Sequence, residues 1–419
     1  MKLDDFCQIN PKVQLNRNEE YEFVEMADLV PGNRYVFSKT KKIFNGSFSK
    51  FSNRDTLMAK ITPCLENGKI SQFIGTSKAF GSTEFNIFRE RENVSDANYL
   101  YYLVSSTIVK DPAIKSMSGA TGRQRANIDE IKQIEVPDIS LKNQRKIAKI
   151  LSNYDDLIEN NNKRIKILEE MAQKIYKEWF VDLKFPGYET TTFKQTDLGK
   201  IPSDWNSKPI GELLEHQIGG GWGNEEQSDK YTESAYVIRG ADIPNGRDGN
   251  IQNCPLRYHT KSNIKTRLLK VNDIVFEVSG GSKGQPVGRA LLLNKNLFNQ
   301  FNDNVICASF CKLLRTDTKQ ILPEIVYLHL LNIYNNGEIE KYQTQSTGII
   351  NFKFTFFLES EQILVPSNNI QKLFKKIIVP IFDEISLLGY KNQALKQTRD
   401  LLLPRLISGE INVENLEIL

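Results

Sequence analysis

The sequence predicts a mixed α/β chain whose plan is written twice, as an α/β domain followed by a long helix, then a second α/β domain and a second long helix. Three observations carry this reading. Short β-rich runs alternate with turn signals and helix-spaced segments. A series of local matches recurs in the same order in both halves. A stripe of apolar residues spaced by threes and fours follows each domain.

The matches begin with Leu3-Asp4-Asp5-Phe6, which finds a counterpart in Ile210-Gly211-Glu212-Leu213. FVEMADL (23–29) matches VIRGADI (237–243), and DTLMAKI (55–61) matches DIVFEVS (273–279). Ser118-Gly119-Ala120-Thr121-Gly122 parallels Gln345-Ser346-Thr347-Gly348, with Asn127 and Asn351 soon after. Val136-Pro137 parallels Val365-Pro366, each just ahead of a helical segment. The offset grows along the chain, so loops differ in length while the order of elements is kept. Runs such as YEFVEM, TLMAKI, FNIFRE and VICASFCKLL read as strands between turns at Pro31-Gly32, Asn45-Gly46, Asn67-Gly68 and Asn245-Gly246. DANYLYYLVSS and PEIVYLHLLNI carry helical spacing. The expected boundaries are a first α/β domain over 1–140, a central helix over 141–182, a linker and second α/β domain over 183–367, and a distal helix over 368–412.

In the central helix the expected seam runs through Ile147, Ile150, Tyr154, Leu157, Asn161, Ile165, Leu168, Ala172, Ile175 and Trp179, with neither Gly nor Pro before Pro186. At 1.5 Å per residue such a helix spans roughly 60 Å. The distal helix carries Ile370, Ile377, Ile381, Ile385, Leu388, Leu395 and Leu402, and ends near Pro404, before Gly409. It contains Pro380 and Gly389, so a kink or a late start is expected there. Neither stripe is stable if left in water, so the helices pair with each other or with a partner. Asn161 on the seam either fixes register or is an ordinary polar break.

Composition excludes more than it identifies. The chain has 419 residues, 40% hydrophobic and 25% charged, with a formal charge of +4. No apolar run is long enough for a membrane span, and MKLDDFCQIN lacks the basic and apolar regions of a secretory signal. Five scattered cysteines fit a reducing, cytoplasmic setting. The three histidines are far apart and none lies in an HExxH spacing. Cys307 and Cys311 could share a helix face, but without a second ligand pair they read as a buried strand rather than a metal site. GGSKGQPVG (280–288) lacks the Gly-Lys-Ser/Thr ending of a phosphate-binding P-loop, and no GxSxG elbow appears. The Asn-Pro-Pro-aromatic box that amino-methyltransferases use is absent too. The missing motifs favour a binding protein over an enzyme. A stand-alone methyltransferase and a coiled-coil protein scaffold are the competing readings.

Several stretches resemble the specificity subunits of type I restriction-modification systems. They are NQRKIAKILSNYDDLIE and its second copy IQKLFKKIIVPIFDEI at the helix starts, YKEWFVDLKFPG at the end of the first helix, TDLGKIPSDW opening the second half, and LLLPRLISGEI closing the second helix. VIRGADI and the preceding GGGWG (219–223) are similar to the opening of one recognition-domain subtype. The resemblance covers nearly the whole chain, with Pro380 its one notable departure. It implies two target recognition domains, each reading one half of a split, asymmetric site in double-stranded DNA. It further implies that the two helices lie antiparallel as a coiled coil and set the half-site spacing. The partners implied are two modification subunits, which carry S-adenosylmethionine, and restriction subunits, which carry ATP and Mg²⁺. No catalysis, cofactor or metal is expected on this chain itself.

Candidate DNA contacts follow from residue type, since Lys and Arg meet phosphates while a few side chains read base edges. FSKTKKIFNGSFSKFSNR (37–54) interleaves Lys39, Lys41, Lys42, Lys50 and Arg54 with four phenylalanines, as a groove-tracking loop or a hairpin with one solvated face. Arg123 and Arg125 stand in the turn-rich GATGRQRANI. In the second half, Trp222 is a stacking residue or a packing anchor. Arg239 faces either a partner or a buried carboxylate such as Asp242. LRYHTKSNIKTR (256–267) brings Arg257, His259 and Lys261, and Lys283 sits in the glycine-rich loop. The basic helix starts around Arg145, Lys146 and Lys149 read as a solvated face.

Overall fold

The computed structural model describes residues 1–120, 122–197, 199–280, 285–346 and 349–416. It divides into two compact units, one formed by residues 1–159 and 394–419, the other by 160–393. Each is an α/β body to which the central helix Leu141–Tyr176 and the distal helix Asn368–Ile407 both contribute a portion.

The first unit holds two sheets. One has five strands in the order Cys7–Ile9, Phe85–Glu90, Thr56–Ala59, Ile70–Phe73, Tyr35–Val36, antiparallel except for the last pair. The other runs Thr40–Ile43, Glu20–Val24, Ala79–Gly81, Ser49–Phe51, its middle pair parallel. Alternation along a strand explains how the first sheet is buried on both faces. Leu57 and Ile87 join Phe51, Phe73 and Phe85 in one cluster. Their neighbours Met58 and Phe88 point the other way, toward Tyr99 and Leu103 of the helix Ala97–Ser105. That second cluster also takes Ile147 and Leu151 from the start of the central helix and Leu406 and Ile407 from the end of the distal one.

The second unit repeats this plan. Its four-stranded antiparallel sheet runs Leu214–Gly219, Cys311–Thr316, Ile274–Glu277, Ala290–Leu292, the order of the first four strands above. A three-stranded sheet, Leu256–His259, Glu233–Ile238, Asn304–Cys307, again contains one parallel pair. The helix Pro323–Asn335 takes the place of Ala97–Ser105. Its core joins Phe276 and Leu314 to Ile165, Tyr176 and Trp179 of the central helix, and to Phe374 and Ile378 of the distal one.

The duplication extends to individual hydrogen bonds. Arg89 grips the buried Asp55 carboxylate through Nε (2.7 Å) and a terminal nitrogen (2.6 Å). Arg315 grips the buried Asp273 in the same way, at 2.8 and 2.6 Å. Each aspartate also accepts a backbone N–H from three residues earlier, Ser52 or Lys270. Gln144, in the first turn of the central helix, donates to the carbonyls of Val94 and Ile139 and accepts from the N–H of Asp96, the cap of Ala97–Ser105. Gln371 donates to Gln320 and Pro366 and accepts from Leu322, the cap of Pro323–Asn335. FVEMADL and VIRGADI share a turn in which Asp28 and Asp242 accept the N–H of Glu25 and Arg239.

Within each unit the helix portions run antiparallel. In the first, Asp155 forms a buried ion pair with Arg399 and accepts the Tyr102 hydroxyl. In the second, Asn161 Nδ2 donates to Asn392 Oδ1 (2.8 Å), and Asn392 Nδ2 donates to Asn162 Oδ1 (2.8 Å). Arg164 pairs with Glu384. Paired polar groups at one level satisfy each other only in one register, so Asn161 has the register-setting position rather than that of a casual break.

Two expectations change. The seam passes through Leu151, Asp155 and Ile158, leaving Ile150 and Tyr154 half-buried and Leu157 52% exposed. A search for apolar positions steps past a buried aspartate, and skipping Asp155 displaces the stripe by one residue. Pro380 does not delay the distal helix, which is already formed at Asn368. An interior proline costs about 3 kcal/mol, and burial of its neighbours Ile378 and Ile381 offsets this at ~1.5–3 kcal/mol each. Gly389 marks a close approach: a Cβ there would lie 2.2 Å from the Asp248 carbonyl oxygen and 2.6 Å from Gly249 Cα. Cys307 and Cys311, expected in buried strand, end one strand and begin the next, both buried.

One buried network predicts an acid-sensitive step. In the second unit Tyr176 hydrogen-bonds His329 Nδ1 (3.0 Å), and His329 Nε2 meets Glu361 at 2.9 Å. Tyr342 and Lys341 hold the other Glu361 oxygen. Burial pushes the Glu361 carboxyl up, but the bonds from His329 and Tyr342 outweigh it and hold the group at about 2. A carboxyl lowered from 4.5 on folding stabilises the protein above that value, and the contribution disappears as pH falls from about 4.5 through about 2. Its full size is ~3 kcal/mol. Denaturant titrations across this range should show that loss in the native chain and a flatter profile in Glu361→Gln; parallel profiles would contradict the assignment.

Candidate nucleic-acid interface

In the first unit the segment 37–54 supplies the strands Thr40–Ile43 and Ser49–Phe51 at opposite edges of the four-stranded sheet, so it is not a hairpin, and the two phenylalanines between them pack on the sheet. Phe23, Phe44, Phe48 and Phe80 meet edge-to-face or tilted at 5.0–6.4 Å. The cations sit on this cluster: Lys42 Nζ lies 3.9 Å from the Phe23 ring centre and pairs with Glu25, and Lys50 Nζ lies 4.9 Å from that of Phe44. Lys39 pairs with Asp28. Lys41 lies on the fully exposed edge strand Thr40–Ile43. Arg54 occupies a left-handed turn position (φ 70°), exposed at the mouth of a polar groove shared with Arg89 and Arg145.

Phe48, Ser49 and Lys50 form one wall of a cleft of about 660 Å³. Its other wall is the loop 10–16, which follows strand Cys7–Ile9. Lys12, Lys50 and Lys60 line it, and among the described residues no carboxylate does. Lys60 connects the cleft to the arginine loop, because its N–H donates to the Glu84 carbonyl (2.9 Å) and its carbonyl accepts from Ala126 (2.8 Å). Arg125 forks onto the Glu84 carboxylate at 2.9 and 2.8 Å, and this hydrogen bonding holds that carboxyl below its usual range. Arg123, two residues earlier, is exposed. The fold therefore gathers Lys12, Lys50, Lys60, Arg123 and Arg125 from four separate segments. Lys12 and Lys60 escape sequence reading because each is a lone cation in its own stretch; only the folded sheet order brings them together.

The second unit distributes its candidates differently. Arg239 forks onto the buried Asp242 and also donates to the Asn253 carbonyl, so of its two expected partners the carboxylate is the one present. Arg257 is mostly buried, its guanidinium 4.4 Å from the Trp222 ring centre and 2.7 Å from Glu225. Trp222 itself is 41% exposed. His259 departs from expectation: it is fully buried with neither ring nitrogen hydrogen-bonded, and desolvation with the nearby Arg267 lowers its pKa. Alternation along Leu256–His259 turns it inward, under the glycine-rich segment 219–223. Lys261 is exposed at the start of helix Lys261–Arg267, which Thr260 caps. Lys283 lies outside the described residues. At the base of the central helix, the half-buried Lys146 donates to the carbonyls of Val413, Glu414 and Leu416.

Among the described residues no group of His, Cys, Asp and Glu could hold a metal ion, and no helix is long and apolar enough to cross a membrane. What remains is a duplicated α/β frame that presents basic side chains at loop ends.

The family model of the type I restriction modification DNA specificity domain matches this frame twice, over residues 1–170 and 202–397. The chain belongs to that family. Among its relatives, the type I restriction enzyme MjaIX specificity subunit of Methanocaldococcus jannaschii is 28% identical over 341 residues, 76% of this chain and 70% of its own length. The HindI specificity subunit of Haemophilus influenzae is 25% identical over 383 residues, 79% and 81% of the respective chains. The fold is similar to that of the type I restriction-modification S subunit from M. genitalium, with a TM-score of 0.50 at 14% identity, covering 97% of this chain and 95% of that one. As a specificity subunit, this member serves DNA sequence specificity within a restriction-modification complex and is not the complex's catalytic component.

The acid-free cleft predicts a graded loss of phosphate contacts. Replacing Lys12, Lys50 and Lys60 by Gln should weaken duplex binding uniformly across sequences and reduce the slope of log K against log salt by about 2–3. Fluorescence anisotropy at a series of salt concentrations measures this, and an unchanged slope would remove the cleft from the interface.

Proposed function

We propose that each unit reads one half of a split, asymmetric site in double-stranded DNA, while the paired helices set the number of unread base pairs between the halves. The observation that carries this is the repeat of one frame with different surfaces. Sheet order, Asp–Arg grip and Gln clamp recur, yet the first unit opens a lysine-lined cleft where the second presents Trp222, Arg257 and a glycine-rich segment. One fold with two surfaces suits two different half-sites. In this reading Lys41, Lys42, Lys50, Arg54, Arg123 and Arg125 serve the first half-site. Trp222, Arg257, Lys261 and Lys283 serve the second, and Arg239 supports them through Asp242.

The helices also offer apolar side chains to solvent. Leu157, Ile167 and Met171 on the central helix and Tyr390 and Leu401 on the distal helix are between 46% and 72% exposed. Such side chains favour cover by another protein, and we assign them to two modification subunits. S-adenosylmethionine then belongs to those subunits, and ATP with Mg²⁺ to restriction subunits, leaving this chain without a cofactor.

Methylation-sensitive sequencing of DNA from cells expressing this chain with its modification subunits should reveal one motif of two short, different halves around a fixed gap. A contiguous palindrome would contradict the two-reader arrangement, and the absence of any modified sequence would favour a protein scaffold.

A further inference from the structure

The strands Cys7–Ile9 and Leu214–Gly219 hold the same place in their sheets, but the segments that follow them behave differently. Loop 10–16 leaves the cleft of the first unit open. Segment 219–225 instead crosses the three-stranded sheet as a strap. Gly221 N–H donates to the Cys307 carbonyl (2.9 Å), and Asn224 exchanges two backbone bonds with Tyr258 (2.9 Å each). The glycines permit this approach: a Cβ on Gly220 would lie 2.1 Å from the Cys307 oxygen. One on Gly223 (φ +69°) would lie 2.5 Å from the Tyr258 oxygen and 2.6 Å from His259 Cε1.

Two groups under the strap are poorly served by this closed position. His259 is fully buried with both ring nitrogens unpartnered, a costly state for an imidazole. Arg257, 13% exposed in its side chain, is paired to Glu225, whose side chain is 81% exposed. Arg257 meets Glu225 through one terminal nitrogen, whereas Arg239, Arg289 and Arg315 of this unit each grip a carboxylate through two nitrogens, and those carboxylate side chains are only 6%, 3% and 2% exposed. A solvent-facing carboxylate contributes little and is readily exchanged for another oxyanion of like geometry.

We propose that Glu225 occupies on Arg257 the place of a DNA phosphate, and that the strap lifts when duplex binds, passing Arg257 to the backbone and exposing His259 to the groove. The proposal rests on the DNA-reading assignment above. It makes the second unit a closed reader and Glu225 an internal competitor of its ligand.

The test measures binding of the full-length chain to a labelled random-sequence duplex over a range of salt. Glu225→Gln should tighten binding about two- to fivefold, and the neighbouring exposed Glu226→Gln distinctly less. Arg257→Gln should weaken binding and lower the salt slope by about one, and Glu225→Gln should then have no further effect. Hydrogen exchange on the native chain gives a reading free of substitutions, in which peptides spanning 219–225 exchange faster once duplex is added. Equal effects of the two glutamate changes, a Glu225→Gln gain that survives in the Arg257→Gln background, or slower exchange across the strap would each overturn the proposal while leaving DNA binding intact. Failure of the native chain to bind the duplex at all would overturn the DNA-reading assignment itself, and the strap proposal with it.

Discussion

A helix of 36 or 40 residues with an apolar stripe is not stable in water unless something covers the stripe along its length. That constraint organises this chain. In the first unit Ile147 and Leu151 are covered together with Leu406 and Ile407, and in the second Ile165, Tyr176 and Trp179 together with Phe374 and Ile378. Because both helices contribute to both units, neither α/β body is complete without a portion of each. The polar seam pairs, Asp155 with Arg399 and Asn161 with Asn392, add the discrimination that apolar contacts lack. Removing one member of a buried ion pair costs about 3–5 kcal/mol, whereas a slid apolar stripe finds other neighbours.

The α/β bodies meet a second demand, that of keeping one frame while varying what it displays. Buried Asp55 and Asp273 each join adjacent strands through a two-pronged arginine, and Gln144 and Gln371 each tie the first turn of a long helix to the cap of a shorter one, Ala97–Ser105 or Pro323–Asn335. These groups face inward and leave the loop ends unconstrained. An open lysine cleft in one unit and a strap over Arg257 and His259 in the other are therefore compatible with the same core.

Much of this was legible in the residues. The repeat was visible because inward-facing positions keep their residue type, as in DTLMAKI and DIVFEVS, and the helices because their spacing persists over many turns. The seam departs by one step from the apolar stripe where a charged residue is buried, since Asp155 becomes a seam residue only beside Arg399. The local cost of Pro380 is apparent in sequence, whereas the compensating burial of Ile378 and Ile381 is not. The Arg239–Asp242 contact lies within one short turn, so the carboxylate is legible as one of two partners for Arg239. The burial of His259 is not legible, because the strap that covers it comes from a segment some 35 residues away, across the three-stranded sheet. Lys12 and Lys60 illustrate the same limit: a cleft assembled from distant loops leaves no local pattern.

The central claim is that the two units read separately and the helices determine only the distance between what they read. Inserting one seven-residue repeat beside Asn161 in the central helix, with a matching repeat beside Asn392 in the distal helix, tests it most directly. Seven residues lengthen a helix by about 10 Å, close to three base pairs of duplex. Sequencing of the modified sites should then show both half-sites unchanged and the gap wider by about three base pairs. Altered half-sites with the original gap would contradict the account.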